Sequence, residues 1–158
     1  MKILIFTEGT IIMHKNGAGH KREEIVKQVI EGDESVRDFA SYIPVGNAVE
    51  KLKRWKGQGA EILYLTSRKE EKEVNDIKNV LKKFGFPGGQ LHFAESVEYK
   101  DVVERIEPDI LIEDDCESIG KEEIICPTLN PELKTKTIII REFGGIDHLP
   151  NILEDLIK

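Results

Sequence analysis

The stretch Lys2 to Thr10, KILIFTEGT, limits the possible folds more than any other part of the chain. Ile3 to Phe6 is an unbroken apolar run, and the four residues after it are polar or glycine. A half-buried strand alternates apolar and polar side chains. A continuous run belongs to a strand with both faces covered, as in a parallel sheet flanked by helices. Its polar stop, Thr7-Glu8-Gly9-Thr10, falls where open α/β sheets place their ligands, just beyond the C-terminal ends of the strands. The alternation of strand side chains puts Thr7 on the face opposite Phe6 and Glu8.

The rest of the chain repeats the theme. Four further strands are predicted at Glu61–Leu65, Gln90–Ala94, Asp109–Ile112 and Thr137–Arg141. Between them, helical periodicity covers a segment capped by Asn47, the charged segment Lys69–Phe84, the segment Val97–Ile106 with Ser96 as its cap, and Leu149–Ile157. Glu117–Thr135, with Pro127 and Pro131, reads as irregular. Strands alternating with helices imply βαβ units joined by right-handed crossovers, hence a three-layer, Rossmann-like parallel α/β sheet. The 158 residues suit a single domain, 1–158. Residues 11–45 interrupt the pattern with an amphipathic stretch, Arg22–Ile30, and a short helical one, Ser35–Tyr42. They read as a small helical insert within that domain.

Composition removes several function classes. A net charge of −7 argues against a general nucleic-acid or anionic-membrane surface, since both require a basic face. No apolar run has the length of a membrane span, and the apolar stretch at the start is too short for a secretory signal, so the expected location is the cytoplasm. The 2 cysteines, Cys116 and Cys126, form no metal or redox motif, and the 4 histidines lack zinc spacing. Nothing in the sequence sets an oligomeric state.

If the strands are parallel, three polar clusters converge on one edge of the sheet: Thr7-Glu8, Thr66-Ser67 and Glu113-Asp114-Asp115. Asp114 and Asp115 are hard oxygen ligands suited to Mg²⁺, and Glu8 adds a third carboxylate to the candidate metal site. Thr66 and Ser67, between a strand and a helix, offer hydroxyl and backbone N–H donors to an anion, of which phosphate is the usual example. Lys100, on the helix before the acidic strand, is placed to neutralise such a phosphate. The partner these residues point to is phosphate or a phosphorylated small molecule.

The order and spacing of these residues resemble the haloacid dehalogenase-like superfamily, most of whose members are phosphohydrolases. Phe6-Thr7-Glu8-Gly9-Thr10 matches the first motif, Asp-x-Asp-Gly-Thr. ILYLTSR matches the second with Thr66 at the key position, Lys100 matches the third, and ILIEDD matches the fourth with Asp114 and Asp115. The resemblance spans nearly the whole chain. It implies a haloacid dehalogenase-like fold in which residues 11–45 form a small cap. It also implies a catalytic crevice in which Glu8 holds the acid/base position, Lys100 assists and Mg²⁺ is the cofactor. It sets one departure in relief. The first aspartate of the family attacks phosphorus and ligates the metal, and here that position is Phe6, which has no lone pair to do either. The expected function is therefore a protein without covalent phosphatase chemistry that keeps part of a weakened Mg²⁺ and phosphate crevice in a binding or regulatory role. The alternative is an active Mg²⁺-dependent phosphohydrolase in which Glu8 or Asp114 works with a metal-activated water. Whether the chain is an enzyme is left open by the residues.

Overall fold

The computed structural model describes residues 1–120 and 124–158. The sheet is built from β1 (Lys2–Phe6), β4 (Glu61–Thr66), β5 (Leu91–Phe93), β6 (Ile110–Asp114) and β7 (Thr137–Ile140), in the spatial order β5-β4-β1-β6-β7. Every pairing is parallel. β1 lies at the centre, with Leu4 opposite Leu63 on one side and Leu111 on the other.

Burial of β1 on both faces follows from its sequence. Ile3 and Ile5 enter one core with Ile62, Tyr64, Ile110 and Ile112. Helices α2 (Ala48–Gly57) and α3 (Glu71–Lys83) cover that face with Leu52, Trp55, Ile77 and Leu81. Leu4 enters the opposite core with Leu65 and Leu111. There, α4 (Tyr99–Ile106) contributes Val102 and Val103, and α5 (Pro131–Thr135) contributes Leu133. The three-layer parallel α/β architecture expected from the sequence is the one observed.

Residues 11–45 fold as an insert between β1 and α2. Two short strands, β2 (Ile12–Met13) and β3 (Ile43–Pro44), pair antiparallel at its base. That ribbon had no signal in the sequence. Helix α1 (Arg22–Ile30) forms as its apolar spacing predicts. The expected helix over Ser35–Tyr42 is instead two 3-10 turns, Glu34–Arg37 and Phe39–Ser41, separated at Asp38. Asp33 accepts a hydrogen bond from the Ser35 N–H and fixes the first of them. Met13, Ile25 and Val45 make a small core of their own beneath the insert.

Other boundaries shift for local reasons. α4 starts at Tyr99 rather than Val97, with Asp101 accepting from the Glu98 N–H in place of a Ser96 cap. Asn47 precedes α2 but bonds Asp147 rather than capping the helix with its side chain. The segment expected to be irregular contains α5, capped by the Asn130 side chain on the Leu133 N–H. That expectation also covers residues 121–123, which lie outside the described ones.

The closing helix over Leu149–Ile157 reduces to a 3-10 turn, Leu153–Ile157. Pro150 has no N–H to give a helical ladder. Side chains of α2 and the residue after it take the free backbone groups instead. Lys51 Nζ donates to Leu149 O, Trp55 Nε1 to Pro150 O and Gln58 Nε2 to Asn151 O, while Gln58 Oε1 accepts from the Leu153 N–H. Among the described residues no helix is long and apolar enough to cross a membrane.

Trp55 is fully buried, and its indole N–H reaches Pro150 O at 3.0 Å. Trp55→Phe removes both ring volume and that bond, and is expected to cost ~2 kcal/mol of stability. Urea unfolding checks this, and an unchanged midpoint would show that the Trp55 ring volume and its bond to Pro150 add nothing to stability.

Candidate functional site

The ends of β1, β4 and β6 lie side by side because the sheet is parallel and β1 is central. The insert stands over them. Between insert and sheet edge is a cavity of about 470 Å³ whose lining includes Phe6, Glu8, Ser67, Arg68, Lys69, Tyr99, Asp114 and Glu142. The insert contributes His14, Val29, Val36 and Tyr42.

Glu8 is the best-coordinated group in the cavity wall. Its Oε1 accepts from Thr7 Oγ1 at 2.5 Å and Thr66 Oγ1 at 2.6 Å. Its Oε2 accepts from the Ser67 N–H at 3.1 Å and Ser67 Oγ at 2.6 Å. Arg68 Nε lies 3.8 Å from Oε2. A carboxylate has about four lone-pair positions, so these donors fill it. Thr7 takes part, contrary to the alternation expected from the sequence. β1 ends at Phe6, and the chain turns there, with the N–H groups of Ile11 and Ile12 donating back to Thr7 O.

Asp114 sits at the end of β6 and is also occupied. Its Oδ2 accepts from Thr10 Oγ1 at 2.9 Å, and its Oδ1 from the Cys116 N–H at 2.9 Å. Burial raises its carboxyl above the ordinary aspartate range, and these hydrogen bonds pull the other way. Gly9 adopts φ +83, and a Cβ there would stand 2.9 Å from Asp114 Oδ2, so the turn requires glycine to let the carboxylate approach. Asp115 turns elsewhere, accepting the Glu142 N–H on Oδ1 at 3.1 Å, and is not among the lining residues.

Glu8, Asp114 and Asp115 each serve a different set of the chain's own donors. Among the described residues no group of three His, Cys, Asp or Glu side chains could hold a metal ion. Mg²⁺ keeps several waters and is usually held by one or two carboxylates, and of the three carboxylates Glu8 and Asp114 line the cavity. Lys100 follows Tyr99 on α4; Tyr99 is among the residues that line the cavity and Lys100 is not. The Tyr99 hydroxyl donates to Ser67 O at 2.7 Å, and Lys69 Nζ lies 6.0 Å from the Tyr99 ring. Thr66, Ser67 and Glu8 do meet, as the convergence of strand ends predicts.

Phe6 presents its ring at the cavity, edge-on to Tyr99 with centroids 6.1 Å apart. Across from it, the insert is fastened by cations. The Arg68 guanidinium stacks 4.6 Å from the Phe39 ring, and Arg22 Nη1 donates to Glu117 Oε2 at 2.6 Å and to Glu142 O at 3.2 Å. Sequence reasoning missed Glu142 because it follows a strand with no acidic run to mark it. Its carboxylate accepts from Ser118 N–H and Oγ. Tyr42, Tyr99 and Lys69 carried no signal beyond ordinary core or surface spacing.

Burial pushes Glu142 up to about 7, reinforced by Asp114 and Asp115, and pushes Glu113 up to about 7. Glu113 accepts from the Ile125 and Cys126 N–H groups. A carboxyl with a raised folded value holds its proton more tightly when folded. The stability this gives is complete below about 4.5 and is lost as pH rises through about 7. Stability should fall by ~1–3 kcal/mol from these two groups between about pH 5 and 8. Glu142→Gln keeps an acceptor for Ser118 and should flatten the slope. Thermal melts across that range check it, and identical slopes in parent and variant would contradict it.

No protein-family model matches the chain, and no curated protein matches it in sequence. Solved structures do match. A class C acid phosphatase from Bacillus anthracis with tungstate bound aligns with a TM-score of 0.53 at 13% identity, over 91% of this chain and 68% of that one. D,D-heptose 1,7-bisphosphate phosphatase from Burkholderia thailandensis aligns with a TM-score of 0.50 at 10% identity, over 90% and 92% of the two chains. The chain shares the fold of these two phosphatases.

Proposed function

We propose that this chain is a phosphatase-fold binding or regulatory module that takes a phosphorylated small molecule in the crevice and does not carry out covalent phosphoryl transfer. The observation that carries this reading is Phe6. β1 delivers its last side chain to the cavity beside Glu8, where the resemblance calls for the attacking carboxylate, and that side chain is a phenyl ring. Covalent catalysis divides one difficult displacement into two easier ones, and the ring can start neither.

The neutral donors at the end of β4 remain. Thr66 and Ser67 supply two hydroxyls and an N–H in one small arc, the chemistry that recognises phosphate oxygens. Arg68 and Lys69 follow directly in sequence and both line the cavity, where they balance part of its negative charge. On the cation side, Glu8 is fully engaged by the chain's own donors and Asp114 partly so, which weakens the expected Mg²⁺ site.

Purified protein assayed against a panel of phosphate monoesters, with and without Mg²⁺, is expected to show turnover no greater than Asp114→Ala. Mg²⁺-dependent activity that survives purification and disappears in Asp114→Ala would instead establish hydrolysis by a metal-activated water. Millimolar Mg²⁺ alone is expected to leave Tm unchanged, since a ligand that binds only the folded state must raise it. A rise that Asp114→Ala abolishes would show that the carboxylates rearrange to accept the ion.

A further inference from the structure

We infer that Glu8 is the resident occupant of an oxyanion site, so that the chain carries its own competitor for the cradle formed at the ends of β1 and β4. This rests on the reading of Thr66 and Ser67 as anion donors given above. The four donors to Glu8 come from three residues, and three of the four belong to the loop that starts at Thr66. None of the four carries a charge. Arg68 supplies the nearest positive charge, at 3.8 Å from Oε2, and its own Nη2 is shared with Ser67 Oγ at 3.3 Å. An arc of hydroxyl and amide donors with one guanidinium beside it fits a tetrahedral oxyanion as well as it fits a carboxylate.

The length of the side chain is what allows the overlap. An aspartate in the turn after β1 would hold its carboxylate one methylene nearer its own strand. The glutamate reaches across to β4, and both of its oxygens engage Thr66 and Ser67. The donors cannot serve two anions at once. An incoming phosphate must either displace Glu8 or share the arc with another negative charge a few ångströms away, which is unfavourable. Thr66 is fully buried, so removing the carboxylate leaves its hydroxyl and the Ser67 N–H in want of an acceptor. The cavity opens directly beside them, and Glu8 and Ser67 both line it, so solute has a path to the vacated arc. The ligand class follows: a phosphate group presented from the cavity, bound weakly while Glu8 stays in place and more tightly once it is removed.

Inorganic phosphate is the probe, followed by calorimetry and by Tm, with parent, Glu8→Ala, Glu8→Gln and the double variant Glu8→Ala with Thr66→Ala. Glu8→Ala is expected to bind phosphate at least about tenfold tighter than the parent, a difference of ~1.4 kcal/mol. Phosphate should also raise its Tm more than the parent's. Glu8→Gln keeps the side-chain volume and loses the charge, so it should show a smaller gain and keeps the test open if the alanine variant does not fold. The double variant should lose the gain. Equal phosphate binding by parent and both single variants would overturn the competitor role while leaving the cradle as an anion site. No binding or Tm shift in any folded variant would overturn both.

Discussion

Everything at the sheet edge depends on β1 being enclosed on four sides. Ile3, Leu4 and Ile5 are wholly buried, and both long edges of the strand are hydrogen-bonded, to β4 and to β6. Burying each such side chain is worth roughly 1.5–3 kcal/mol relative to leaving it exposed. A register slip of one residue would exchange the two faces and send Ile3 and Ile5 into the space shaped for Leu4. The strand is thereby fixed along its axis, and the position of its end is fixed with it. Phe6 and Glu8 reach the crevice because the residues before them have nowhere else to go.

Residues 6 and 8 then divide the consequences. Phe6 puts an apolar ring at the crevice, and it packs against Tyr99 and the core formed by α4. Glu8 keeps a negative charge but transfers it from β1 to the donors of β4. The two strands, already joined by their ladder, are joined again through a side chain at their ends. Hydrogen bonds to a charged acceptor contribute about 1.5–3 kcal/mol each, more than neutral ones, which favours a rigid edge at this point.

The fold was legible because its signals are collective. Apolar runs, helical spacing and strand order all agree, and β1, β4, β6 and β7 lie where those patterns put them. Failures came where a single group outweighed a pattern. Pro150 and the side chains of Lys51, Trp55 and Gln58 replaced a helix whose apolar spacing was otherwise sound. The β2–β3 ribbon has only two residues per strand, too few for alternation to register. In the site, the convergence of Glu8, Thr66 and Ser67 followed from topology and could be read in advance. The partners of Asp115 and the position of Lys100 depend on side-chain direction in turns and at a helix start, which residue spacing does not encode. Glu142 was hidden for a related reason: a lone glutamate after a strand reads as solvated until the loop it binds is seen to bury it.

The acidic character of the crevice has a structural role. Ser67, Cys116, Ser118, Ile125, Cys126 and Glu142 all give a backbone N–H to a carboxylate near the strand ends. The acceptors are Glu8, Asp114, Glu142, Glu113 and Asp115. Each carboxylate fastens a loop that leaves the sheet, and buried N–H groups in such loops would otherwise lack acceptors. Glu8 has all of its about four lone-pair positions taken by Thr7, Thr66 and Ser67, whereas Asp114 accepts from Thr10 and Cys116 and keeps lone pairs beyond them. The acidic clustering is also, in the folded chain, a means by which three strand ends hold their loops around the cavity. The neutral hydroxyl arc on Glu8 is left as the part of the edge where an external anion could take the place of an internal one.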